Sequence, residues 1–255
     1  MTTFCDLAAA PTTIDFQGPN AYNFAFNEMI RYERGLLRNH LHIGVAAEMP
    51  VVNATYGENF EPIYQRVPDG IAYVQYAWGE NKASHVRLSG VIRDMYLHNK
   101  TTGENTTQVG WGAQLSGHIE IGHMVDLYMN GVYGRGITPY IQDLSGAPYD
   151  FTYNPHKPTE LQMPPMWGWQ AAAQINIIPQ MFWFTGGYSN VHLERDNGAL
   201  SDNQYKRGEY IFGNLFYNVT PNFTLALEYL HGSRENMSDA HNRANRVSVM
   251  AQYNF

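Results

Sequence analysis

An all-β fold of long antiparallel strands forming a transmembrane barrel is predicted by three observations. Apolar and polar residues alternate at period two over stretches of nine to eleven residues, and the connections between those stretches are alternately short and long. The chain is also 44% hydrophobic and 14% aromatic but only 15% charged, too aromatic and too weakly charged for an ordinary soluble domain. No stretch approaches the ~18 consecutive apolar residues of a helical membrane span.

The alternation places eleven strands in the 255 residues. The first, 24–36, puts Arg31 and Glu33 on one face, and the second, 40–49, puts His40, His42 and Glu48 together. After 71–79 comes 84–97, whose polar face carries Arg87, Ser89 and Arg93. In 107–121, Val109, Trp111, Ala113, Leu115 and Ile119 oppose Gln108, Gln114, Ser116, His118 and Glu120. Strand 125–138 precedes 166–178, where Trp167, Trp169, Ala171, Ala173, Ile175 and Ile177 oppose Gln170, Gln174 and Asn176. In 180–193 parity is unreadable only over Met181–Phe184, where every position is apolar. Strand 206–219 is followed by 223–233, with Phe223, Leu225, Leu227 and Tyr229 on one face and Glu228 on the other. The last strand, 245–255, sets Val247, Val249, Ala251, Tyr253 and Phe255 against Arg246, Ser248, Gln252 and Asn254.

Short turns fall at 37–39, 79–82, 122–124, 179 and 220–222, and long polar loops at 50–70, 98–106, 139–165, 194–205 and 234–244. All short turns at one end is the habit of an outer-membrane barrel, and Trp78, Phe223, Tyr253 and Phe255 near that end suit an interfacial girdle. Eleven is an awkward number, because a single-chain bacterial barrel closes on an even count and leaves no strand edge in lipid.

Short motifs in a consistent order carry a family resemblance: 13–20 (TIDFQGPN), 29–32 (MIRY), 47–50 (AEMP), 134–137 (GRGI) with Tyr140, and the closing 252–255 (QYNF). Along essentially its whole length the chain resembles the C-terminal part of the DcaP-like trimeric outer-membrane porins. The resemblance implies a sixteen-stranded porin barrel whose third loop folds into the lumen. Residues 1–23 would be that constriction loop, and 24–255 the barrel strands with long outer loops. A signal peptide, an N-terminal segment and five strands would lie upstream. It further implies a bacterial outer-membrane location, a homotrimer, passive diffusion of small hydrophilic solutes, and a preference for anions such as dicarboxylates. Tyr253 and Phe255 resemble the terminal signal read by the barrel assembly machinery.

For a pore, the functional groups are lumen-facing charges. Of the sixteen cations twelve are Arg, the group suited to gripping a carboxylate bidentately. Arg31, Arg87 and Arg246 fall near mid-barrel and Arg93 higher, with Asp15 on the infolded loop opposite them to set up a transverse field. The same arginines could equally pair with Glu33, Glu48, Glu120 and Glu228. In the loop, Pro11, Asp15, Gly18 and Pro19 would fix the path while Ile14 and Phe16 pack on the wall.

Other functions find less support. A net charge of −7 leaves no generic nucleic-acid footprint, and many acids fall in the outer loops: Glu58, Glu61, Asp143, Asp150, Glu160, Asp196 and Asp202. Cys5 is the single cysteine and reads as inert. His40 and His42 have a chelating spacing, yet solvated lumen histidines are commoner, and no metal or other cofactor is expected. His231, Ser233, Ser238, Asp239 and His241 share one loop without a strained Gly-x-Ser-x-Gly elbow, so an outer-membrane lipase or protease is the lesser alternative, alongside a carbohydrate-binding β-sandwich.

Overall fold

The computed structural model describes residues 1–22, 25–154, 156–157, 159–195 and 200–255. Among them, eleven long strands form one antiparallel sheet in chain order: β1 (Met29–Leu36), β2 (Leu41–Glu48), β4 (Asp69–Trp78), β5 (Ser84–Asn99), β6 (Glu104–Ile121), β7 (Val125–Arg135), β10 (Pro165–Ile178), β11 (Phe182–Leu193), β12 (Tyr205–Thr220), β13 (Phe223–Asn236) and β14 (His241–Tyr253). A short β3 (Phe60–Pro62) pairs with the outer end of β5, and β8 (Thr152–Tyr153) pairs with β9 (Leu161–Gln162) in a separate small sheet. β1 and β14 are the two edges.

Period two dictates the two faces of this sheet. On the outer face the row Val45, Ala72, Gly90, Ala113, Tyr133 and Trp167 is in direct cross-strand register, as is Phe184, Leu215, Leu227 and Val249. Most of these side chains are exposed, including Leu115, Trp169, Ile175 and Leu227. The inner face carries the polar set: Arg87, Ser116, Asn130, Gln170 and Ser189 are consecutive partners and all are buried. An exposed apolar face over a buried polar one is the inverse of a soluble sandwich and the arrangement lipid requires.

What buries the inner face is chain that is not sheet. Residues 1–22 run across it, and the connection after β7 folds back beside them through two short 3-10 turns, Thr138–Tyr140 and Gln142–Leu144. The two segments pack together: Phe4 meets Tyr140 edge-on at 5.5 Å, and the backbone N–H groups of Gln142 and Asp143 donate to Tyr22 O and Asn20 O. Ile137, Ile141 and Leu144 are fully buried in the same cluster as Met166 and Val191.

Strand positions agree with the sequence pattern to within a few residues, with three differences. β1 starts at Met29, five residues late; Asn23 and Phe24 lie outside the described residues. The expected loops at 98–106 and 234–244 are four-residue connections, because strand pairing continues to Asn99–Glu104 and Glu235–His241. Their threonines favour a strand, and cross-strand pairing carries the asparagines with them despite a poor intrinsic preference. The first half of the expected outer loop 139–165 lies inside rather than outside.

Glycine at two positions of β7 has opposite meaning. A Cβ on inward Gly134 would sit 2.4 Å from Trp111 O and 2.8 Å from Gly112 Cα, whereas one on outward Gly131 meets nothing within 4 Å. We therefore expect Gly134→Ala to block folding and Gly131→Ala to be neutral or favourable, as read by heat-modifiable gel migration; equal behaviour of the two would refute the assigned faces.

Candidate functional site: the inner wall and its infolded segment

A chain segment laid over a sheet face brings backbone N–H groups that the ladder cannot satisfy. Two buried carboxylates take them. Glu48 on β2 accepts from Thr3 N at 2.6 Å and from the Asn27 amide at 3.2 Å. Glu228 on β13 accepts from Ile14 N at 2.9 Å, Asp15 N at 3.0 Å and the Asn214 amide at 3.1 Å. Neutral side chains complete the track: Asn214 donates to Thr12 O, Gln170 to Ala9 O and Asn130 to Ala21 O, while Ser189 accepts from Ala21 N. So Glu48 and Glu228, expected as partners of arginines, instead hold the segment in place. Glu120 lies against His123 Nδ1, and Glu33 lies beside Arg31.

The arginines divide into two groups. Arg93 is 1% exposed and spends its guanidinium on structure: Nε donates to Asp69 at 3.0 Å, Nη1 to Asp150 at 2.9 Å and Gly136 O at 2.6 Å, and Nη2 to Val51 O at 2.5 Å. Tyr140 donates to the same Asp69 oxygen, and Asp150 also accepts from Asn53 N and Thr138 N. This buried hub ties the outer connections to β4 and β5, which corrects the expectation of a solute-facing Arg93. It also corrects the expectation that Asp150 is a solvated loop acid. Asp143 is likewise drawn inward: burial pushes its carboxyl above the ordinary range, against hydrogen bonds from Tyr205 and Asn20. Asp196 lies outside the described residues.

Arg87 is buried too, beneath the N-terminal segment. It donates to Thr3 O and Ser89 Oγ and lies 3.6 Å over the Tyr73 ring. Tyr73 in turn donates to Glu33 at 2.6 Å, and Arg31 Nε is 3.6 Å from the other Glu33 oxygen. Arg31 and Glu33 remain open, with side chains 41% and 44% exposed. Across the sheet, Arg246 pairs with Asp15 at 2.6 Å while its side chain stays 51% exposed, and Tyr210 donates to the same Asp15 oxygen at 3.2 Å. Phe16, next to that pair, is 79% exposed.

Several further sequence candidates resolve plainly. His40 Nδ1 is 2.8 Å from Ala77 O and His42 Nε2 2.9 Å from Asn39 O, so each imidazole lies against a backbone carbonyl, and among the described residues no group of three His, Cys, Asp or Glu side chains could hold a metal ion. His231 Nδ1 is 2.8 Å from Asn245 Oδ1 and Ser233 donates to Glu209, so the loop candidates do not form a relay. Tyr253 closes β14 with its ring 5.3 Å from that of the exposed Phe255. The buried set that the sequence reading missed is Asp6, His85 and Ser116. One Asp6 oxygen accepts from Ser116 Oγ at 2.6 Å and lies 2.9 Å from His85 Nε2. The serine donates to the carboxylate rather than to the imidazole, so no nucleophile is activated here. Neighbouring Cys5 is buried with Sγ 3.2 Å from Tyr22 Oη, and burial pushes its thiol up to about 12.

The wall is thus apolar outward, charged inward, and overlain by a pinned segment. Comparison of the whole chain with solved structures gives "the outer membrane channel DcaP of Acinetobacter baumannii", at a TM-score of 0.83 and 16% identity over 100% of this chain and 69% of that one. The fold is that of an outer-membrane channel. OmpT, an outer membrane protein of Vibrio cholerae, is more distantly similar, with a TM-score of 0.57 and 13% identity over 98% of this chain and 73% of that one. No protein-family model matches the chain, and no curated protein matches its sequence.

Two outcomes follow from the buried groups. Arg93→Met leaves Asp69 and Asp150 buried without their cation, and should cost about 3–5 kcal/mol in reversible urea unfolding; a loss below about 1 kcal/mol would mean that the hub carries no structural role. Burial raises the Asp6 carboxyl, but His85, Ser116 and Arg87 outweigh it and hold it below its ordinary 3.8. Its contribution is therefore complete above 3.8 and lost as pH falls through the folded value. Amide exchange in residues 1–10 should rise on acidification below that range in the wild type, and be raised already at neutral pH in Asp6→Asn.

Proposed function

We propose that this protein is a bacterial outer-membrane porin that passes small hydrophilic solutes by diffusion and favours anions. The observation that carries the reading is the division of the inner-wall arginines. Arg87 and Arg93 are consumed by hydrogen bonds within the fold, while Arg31 and Arg246 keep half-exposed guanidinium groups on the inner face. An arginine free to exchange partners is the group that can take up and pass on a carboxylate. The net charge of −7 does not oppose this, because local lumen potential decides selectivity.

The similarity to the DcaP channel supports the location and the channel activity. The apolar outer face supports contact with outer-membrane lipid. A homotrimer, insertion by the barrel assembly machinery through Tyr253 and Phe255, and dicarboxylates as preferred solutes belong to the same reading and rest on the family resemblance. Asp15 and Glu33, each beside one of the open arginines, would set the field across the passage.

The test is ion selectivity in a planar bilayer under a salt gradient. Arg31→Glu together with Arg246→Glu should move the reversal potential toward cation preference, whereas Arg93→Met, where it folds, should leave it in place. An unchanged potential in the double variant would remove the arginines from selectivity, and the absence of any conductance would remove the porin reading.

A further inference from the structure

At the short-turn end of the inner wall, away from the open arginines, lies a cavity of about 680 Å³ lined by inward residues of β6, β7, β10, β11 and β12. Its polar lining is of a different kind from the rest of the wall. Gln174, Asn176 and Asn218 supply amides, as does Gln180 from a turn; Glu120 and Asp126 supply carboxylates, His123 an imidazole and Trp183 an aromatic ring, and no Lys or Arg is among the lining residues.

These groups hold one another in fixed orientation. Asp126 is 2.9 Å from His118 Nε2 through one oxygen and accepts from the Asn176 amide at 2.9 Å through the other. The Gln174 amide donates to Asn176 Oδ1 at 2.9 Å, and Thr224 donates to Asn218 Oδ1 at 2.7 Å. Trp183 is braced by Phe216, stacked at 5.1 Å and 7°, and is the aromatic residue of the lining.

We infer that this cavity is a binding site for a neutral polyhydroxylated solute, a sugar or sugar-like polyol. Beyond the bonds that fix them, including Asn218 to Gln180 O and Thr185 to Gln174, the Gln174 and Asn218 amides each keep one N–H and one carbonyl lone pair in one plane, which matches a hydroxyl that must give one hydrogen bond and receive another. The electron-rich face of a tryptophan takes up the weakly positive C–H face of a pyranose. A carboxylate solute would meet Glu120 and Asp126 with no Lys or Arg beside them, and the carboxylates are already engaged with His118, His123 and Asn176, which leaves little for a cationic solute. The inference draws on the channel reading only for the site's place on a solute path.

The test is equilibrium binding to the folded full chain in detergent, read by saturation-transfer NMR and by tryptophan fluorescence, with maltose, succinate and choline as probes. Maltose should bind saturably. Trp183→Ala should weaken it about tenfold, while Trp183→Phe retains affinity within about threefold. If Trp183→Ala does not show the heat-modifiable migration of a folded barrel, Asn176→Ala carries the same expected loss. Absent or non-saturable maltose binding, insensitivity to these substitutions, or tighter binding of succinate or choline would overturn the assignment. A chain that binds maltose without conducting keeps this site and loses the porin reading; a chain that conducts without binding maltose does the reverse.

Discussion

Backbone amides that enter a barrel without joining its ladder must find acceptors on the wall, and the rest of this structure depends on how that demand is met. Glu48 meets it at residue 3 and Glu228 at residues 14 and 15 of the N-terminal segment, each with a buried carboxylate accepting more than one hydrogen bond. A charge with no cation in contact is tolerable there because several donors converge on it, which does for a carboxylate what a salt bridge would otherwise do. At Ala9, Thr12 and Ala21 neutral amides and a serine suffice, and the strands supply them. The polar inner face is first of all a template for the chain that covers it, and only then a surface for solute.

That order of priorities explains why arginine count is a poor guide to selectivity in this chain. A guanidinium has five donors in a fixed fork, so burying an arginine calls for several acceptors, or acceptors and an aromatic face, arranged around it. The Arg93 site provides two carboxylates and two carbonyls and is thereby closed to any visitor. Arg31 has one acid beside it at 3.6 Å, and Arg246 has one at 2.6 Å; both sites leave donors free. Exposure and unspent hydrogen-bonding capacity, rather than inward parity, separate the arginines that could act on a solute from those that act on the fold.

Much of the architecture was legible because period two is a local property. The assignment of Val109, Trp111 and Leu115 to one face and Gln114, Ser116 and His118 to the other required no knowledge of partners, and the register of β5, β6 and β7 follows it residue by residue. Connections were harder. The residues that fold the 137–151 stretch inward, Ile137, Tyr140, Ile141 and Leu144, have no strand period, and their burial depends on Phe4 and Val191, far away in sequence. The Arg93 hub was invisible for the same reason: its acidic partners are 24 and 57 residues distant, brought there by sheet register in one case and by an infolded loop in the other. Polarity also misled at 98–106 and 234–244, since threonine and asparagine are as much at home at the exposed end of a hairpin as in a loop.

On the proposed reading, the open charges near the sheet edges and the network near the short turns would ask different things of a solute. Toward β1 and β14 the open groups are opposite charges set side by side, Arg31 with Glu33 and Arg246 with Asp15, which create a field and act at a distance. Toward the short turns the groups are amides, hydrogen-bonded carboxylates and a braced tryptophan, which act only at contact range. Charge sorting tolerates a loosely placed solute, whereas hydrogen-bond matching does not, so the rigid network belongs at the end where a molecule already aligned would be read by shape. Both demands are met on one sheet because alternate residues of each strand are free to vary inward while their neighbours remain committed to lipid.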